Sequence, residues 1–158
     1  MSDMCIDVPG GIFNYRVGAI IQYDGKLLMA KNSGDDFYYT IGGRVKFGES
    51  ARETICREAL EETGLPLEVE RLAFIHENFF TFEPENKKCH EICLFFEMKP
   101  HHKLKEIRQS FEEVYGEVGI HWLPISKLDE YKIYPEFFKK ELATQDRSVQ
   151  HIVSNRSV

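Results

Sequence analysis

The sequence predicts an α+β fold, a mixed β-sheet flanked by helices. Three observations predict it. Segments rich in β-branched and aromatic residues recur in both halves of the chain. Two of them are joined by Asp24-Gly25, a strong hairpin signal. A helix with its own capping residues at both ends interrupts the strands at 50–63.

Taken in order, FNYRVGAIIQY (13–23) reads as a strand, Asp24-Gly25 as its turn and KLLMAKN as the return strand. FYYTI (37–41) reads as a short strand stopped by Gly42-Gly43. The helix follows. Ser50 stands at its N-cap, Glu53 three residues on completes a capping box, and Gly64 takes the C-cap position. LEVERLAFIHENFF (67–80) and HEICLFFEM (90–98) read as two longer strands, with a polar connection at 83–88. Residues 101–117 are charged and carry no clear period. GIHWLPI (119–125) reads as a last strand, and Ser126 is placed to cap a short helix at 127–131. YPEFFKKELA (134–143) reads as a C-terminal helix with Pro135 in its first turn. Residues 144–158 have weak periodicity and read as a mobile tail, leaving 1–143 as one domain.

Composition narrows the function. The chain has 158 residues, 42% hydrophobic and 29% charged, which is globular and long enough to bury a core. Charges interrupt every apolar stretch, so no membrane helix of about 20 residues is expected. MSDMCIDVPG has no basic start leading into an apolar run, and a cytoplasmic protein is expected. The net charge of −6 argues against a basic nucleic-acid-binding face. An anionic substrate would need a bound cation or a few well-placed arginines and lysines. Cys89, His90 and Cys93 invite a zinc reading, but alternation along a strand turns His90 away from the two cysteines. Cys5, Cys56, Cys89 and Cys93 are too sparse for a disulfide framework and read as reduced thiols.

The chemistry lies in GGRVKFGESARETICREALEETGL (42–65). Gly42, Gly43 and Gly48 form a loop that brings bare N–H groups close to an anion. With roughly 100° per residue, Ala51, Ile55, Ala59, Cys56 and Leu60 form an apolar face. Glu61, Glu58 and Glu62 follow on one side of it, and Glu58 and Glu62 are direct neighbours. Carboxylates so placed repel, more so beside a core, where the dielectric falls. A divalent cation relieves the repulsion. An all-oxygen set suits Mg²⁺, with waters completing its shell, and not zinc. On spacing alone a merely solvated acidic helix face is an equal reading.

Gly43, Glu49, Arg57, Glu58, Glu61, Glu62, Gly64 and Leu65 occupy the fixed positions of a known pattern, and the segment resembles the Nudix box of the Nudix hydrolases. Two positions depart from the common form. Ala59 stands where a bulkier aliphatic residue is usual, and Ile41-Gly42-Gly43 replaces Pro-Gly-Gly. The resemblance covers residues 13–143. It implies an α/β/α sandwich and Mg²⁺-dependent hydrolysis, with Mn²⁺ as a substitute, of a nucleoside diphosphate linked to another moiety. A nucleoside triphosphate, ADP-ribose or a nucleotide sugar would qualify. It implies Glu58, Glu61 and Glu62 as metal ligands, with Glu49 as a further weaker one, and Arg57 as the residue that orients them. Gly43 becomes the backbone turn beside the metal.

The resemblance implies a general base that is Glu58 or a later glutamate, with Glu117 first among the latter and Glu112 and Glu113 as alternatives. Arg16 and Arg44 are candidate phosphate contacts, with Lys46 as a third. Tyr38, Tyr39, Phe79 and Phe80 are candidate stacking partners for a base. Glu77-Asn78 and His90-Glu91 fit one branch of the family and carry no assigned role. A small nucleotide is the expected partner, without nucleic acid or membrane, and family members are often homodimers. The competing reading is a non-catalytic nucleotide sensor with the same fold. Loss of box carboxylates is the usual mark of such a sensor, and all are present here.

Overall fold

The computed structural model describes residues 2–83, 85–107 and 118–155. Its first strands, β1 (Cys5–Val8) and β2 (Gly11–Ile20), form an antiparallel hairpin. The predicted strand at 13–23 is divided. After Ile21 the chain leaves the first sheet and continues as β3 (Gln22–Tyr23) in a second one. Asp24 and Gly25 then take φ of 50° and 71° and turn the chain into β4 (Lys26–Asn32), as the Asp-Gly pair predicts. There follow β5 (Tyr38–Thr40), β6 (Gly42–Arg44), α1 (Ala51–Thr63), β7 (Val69–Phe82) and β8 (Lys87–Met98). The chain closes with β9 (Val118–Pro124), β10 (Ile133–Tyr134), α2 (Phe138–Glu141) and β11 (Gln150–Asn155).

The first sheet runs β1-β2-β8-β7-β11, with β6 also paired to β2. The second runs β10-β5-β4-β3, with β9 paired to β4. Both are mixed. β2–β8, β7–β11 and β5–β10 are parallel, and the other pairs are antiparallel. Alternation along the strands builds a core on each side of the first sheet. Val17 and Ala19 of β2 and Phe96 of β8 join Ile55 and Ala59 of α1. Ile20 and Phe95 face the opposite way and join Met29, Leu128 and Phe138 of α2. The result is an α+β sandwich with a helix on each side. Phe138 is fully buried, which contributes on the order of 2–3 kcal/mol.

Three expectations are corrected. Residues 150–155 of the expected mobile tail form β11, paired in parallel with β7 from Gln150–Phe74 to Asn155–Phe79. An edge strand buries only alternate residues, and only partly, so QHIVSN carries little apolar signal. Ser126 caps nothing. Ile125–Glu130 is a pair of 3₁₀ turns broken at Lys127. The helix expected over 134–143 is confined to Phe138–Glu141, because Tyr134 is paired with Tyr39 in β10.

Candidate functional site

The capping box forms as the sequence predicts. Ser50 Oγ accepts from the Glu53 N–H at 3.2 Å, and Glu53 Oε2 accepts from the Ser50 N–H at 2.8 Å. Gly64 ends the helix with φ 74°. Helix α1 packs against β2 and β6 and buries Thr54, Ile55 and Ala59. On the helical wheel Glu58 and Glu62 fall between Thr54 and Ile55. They therefore stand within the packed face, not beside it. Leu60, expected in that face, is 48% exposed.

Acids fit there because the opposing strand is glycine. A Cβ on Gly43 would lie 2.5 Å from Glu58 Cδ. A Cβ on Gly42 would lie 2.1 Å from the Val17 carbonyl oxygen. The two positions predict different failures. A Gly42→Ala methyl meets rigid backbone, and thermal unfolding should show a loss of several degrees. A Gly43→Ala methyl meets the end of a flexible side chain, which turns away at a cost of about 1 kcal/mol or less. Gly43→Ala should fold normally and lose at least tenfold in kcat, because Glu58 is displaced.

Arg57 gathers the rest of the cluster. Its Nε and Nη2 donate to the two Glu49 oxygens at 3.1 and 2.9 Å. Its Nη1 donates to Glu58 Oε1 at 2.7 Å and lies 3.5 Å from Glu61 Oε1. The guanidinium hydrogen bonds, with help from Thr54, hold the Glu49 carboxyl down to about 2. Glu62 has no such partner. Burial pushes it up to about 7, and the charges of Glu58 and Glu61 push the same way. Only the Gly42 N–H, at 3.3 Å, and the more distant Arg16 charge oppose this. The fold therefore keeps Glu49 ionised and leaves Glu62 protonatable near neutrality.

The donor set is all oxygen, and its least accommodated member is a partly buried carboxylate without an ion-pair partner among the described residues. That chemistry fits a hard divalent cation. Among the described residues, no three His, Cys, Asp or Glu side chains are already grouped to hold an ion. Arg57 holds Glu49 and Glu58 at one edge of the set.

A cavity of about 950 Å³ lies on the other side of β2. Arg16, Tyr39, Asn78, Phe80, Glu91 and Ser154 are among its lining residues. It adjoins the acidic cluster through Arg16 and Tyr39, which line it and lie within range of the Glu62 charge. Burial raises the Tyr39 phenol, and the Glu62 charge raises it further.

The structure thus brings together Glu49, Arg57, Glu58, Glu61, Glu62 and Gly43, and places Arg16 in the adjoining cavity. Arg44 does not line that cavity. Its Nη1 lies 3.9 Å from Asp3, and the Lys46 backbone forms an isolated antiparallel β-bridge with the same residue. Strand alternation splits the aromatic pairs. Tyr39 and Phe80 line the cavity, while Tyr38 packs edge-on against His121 and Phe79 stacks on His90. Cys89 and Cys93 are buried and His90 is exposed, on alternate faces. Glu112, Glu113 and Glu117 lie outside the described residues. Sequence reasoning missed His76, Ser154 and Asn155, which line the cavity, and gave Asn78 no role. Their only sequence signal was a polar residue inside a strand otherwise suited to a core.

Fold and site define a class: an α+β sandwich in which a capped, acid-rich helix is set against a glycine strand. The chain belongs to the NUDIX domain family, whose model matches residues 13–143. A MutT-like protein of Streptomyces ambofaciens is 30% identical over 61 residues, 39% of this chain and 40% of that protein. The chain thus matches less than half the length of that relative. The Mutator MutT protein from Bacillus halodurans superposes with a TM-score of 0.60 at 19% identity, covering 90% of this chain and 91% of that one. An ADP-ribose pyrophosphatase of Streptococcus suis does so with a TM-score of 0.54 at 14% identity, covering 89% and 98%. At these identities the superpositions speak for the fold alone. No helix among the described residues is long and apolar enough to cross a membrane.

Proposed function

We propose that the chain is a Mg²⁺-dependent pyrophosphohydrolase that cleaves a nucleoside diphosphate linked to another moiety. One observation carries this reading: the glutamate cluster of α1, with Glu62 raised by burial, adjoins a cavity of nucleotide size. Family membership and the names of its relatives, a MutT-like protein and an ADP-ribose pyrophosphatase, support it. Glu58, Glu61 and Glu62 would hold the cation, with Glu49 as a further ligand. When bound, Mg²⁺ neutralises charge on the non-bridging phosphate oxygens and lowers the pKa of a water. Arg57 fixes the orientation of Glu49 and Glu58. Arg16 meets the phosphates from the cavity side. Glu58 accepts the proton of the attacking water, and Glu117 is the alternative base. The net charge of −6 favours a small nucleotide over a polynucleotide.

The test is incubation with Mg²⁺ and a panel of nucleoside triphosphates, ADP-ribose and nucleotide sugars, with products read by mass spectrometry. Turnover of one class, abolished by EDTA, is expected. Tight binding of a nucleotide without turnover of any panel member would replace the enzyme with a non-catalytic sensor.

A further inference from the structure

The floor of the cavity is built from β7 and β8. Asn78 and Glu91 are paired across these strands and both line it. Asn78 is only 6% exposed, yet its Oδ1 has no hydrogen-bond donor among the described residues. A buried acceptor without a donor destabilises a fold. It persists where a ligand completes it, and the ligand must then bring a donor. Glu91 lines the same floor beside it. Tyr39 and Phe80 add flat apolar surface to the lining, and Arg16 supplies a cation toward Glu62.

Part of the wall comes from a segment beyond residues 13–143, the region that the family model matches. Strand β11 is fastened to β7 on both faces. His76 Nε2 and Ser154 Oγ lie 2.9 Å apart, and His151 Nε2 lies 2.8 Å from Glu77 Oε2. Ser154 and Asn155 thereby line the cavity.

We propose that Asn78, with Glu91 beside it and β11 closing the wall, forms the subsite for a nucleobase that carries an exocyclic amino group. The inference rests on the nucleotide reading of the same cavity and names the part of the substrate held there. Asn78 accepts a hydrogen bond from the amino group, the ring stacks against Tyr39 and Phe80, and the phosphate chain passes Arg16 toward the acidic helix. A base without the amino group loses that hydrogen bond and is bound less well.

Calorimetric titration in EDTA tests this without turnover. The ligands are GMP against IMP and CMP against UMP, pairs in which a hydrogen or an oxygen replaces the amino group. The aminated member of at least one pair should bind at least tenfold more tightly. Asn78→Ala should erase that preference. In the wild-type protein the Asn78 side-chain amide resonances should shift with the favoured nucleotide, a readout that does not depend on the variant folding. Equal affinities within both pairs, a preference that survives Asn78→Ala, unmoved Asn78 resonances, or no binding of any of the four would each overturn the proposal. Selective binding with no hydrolysis of the panel would overturn the enzyme reading and leave this one standing.

Discussion

Glu62→Gln is expected to cut turnover by at least 10³-fold and to stabilise the metal-free protein above neutral pH. The first effect follows from removing one charged oxygen donor from a cluster whose chemistry depends on holding a cation. The second follows from the pKa of this carboxyl, pushed by burial from about 4.5 to about 7. The folded protein holds this proton more tightly than the unfolded chain does. Between about pH 4.5 and 7 the folded state therefore binds more protons, and stability falls as pH rises. Above about pH 7 the full penalty is present. Discounted for partial solvent access, it is on the order of 2 kcal/mol. Glutamine keeps an acceptor for the Gly42 N–H and carries no charge. In EDTA at pH 8 the variant should melt several degrees above wild type, and at pH 4 the two should coincide. Mg²⁺ should raise the wild-type melting temperature at pH 8 and leave the variant nearly unmoved. A variant less stable than wild type at pH 8 in EDTA would show that Glu62 is already compensated in the fold.

Arg57→Ala is the second large effect. One guanidinium satisfies Glu49 through two nitrogens and Glu58 through a third. Without it three box carboxylates face one another with no internal cation. Turnover should fall about 10²-fold, because neither Glu49 nor Glu58 is held in place. Arg57→Lys should recover only part of this, since an ammonium is a point charge and cannot span the fork. The pH dependence is opposite in sign to that of Glu62. Glu49 is depressed to about 2, so its share of stability is present above about pH 4.5 and lost as pH falls toward 2. The melting difference between wild type and Arg57→Ala should be clear at pH 7 and should shrink below pH 4. A difference independent of pH would mean that Arg57 acts through packing of its stem and not through Glu49.

Both effects concern residues that are close in sequence, and this is why the acidic site was legible. Caps, the Asp-Gly turn and neighbours one helical turn apart follow from local geometry. Ser50, Glu53, Gly64 and the Glu58–Glu62 pair could be placed without knowing the fold. Even there the sequence misjudged the buried face. Leu60 ranks as apolar and Glu62 as charged, yet Glu62 packs inward and Leu60 does not. The cause is across the interface, where Gly43 leaves space for Glu58 and the Gly42 N–H meets Glu62.

The cavity shows the same limit more strongly. Arg16, Tyr39, Asn78 and Ser154 come from four strands and are remote in sequence. Which of Tyr38 or Tyr39, and which of Phe79 or Phe80, faces it is a question of register, since one residue of slip reverses every side chain. The capped acidic helix, the α+β class and the family resemblance are legible in the chain alone, because all are written in short-range spacing. Three properties come from the tertiary arrangement instead: residues 150–155 form a wall, Asn78 Oδ1 is buried without a donor among the described residues, and burial pushes the Glu62 carboxyl up to about 7. Burial and cross-strand register set these properties, and both arise from contacts between segments far apart in the chain.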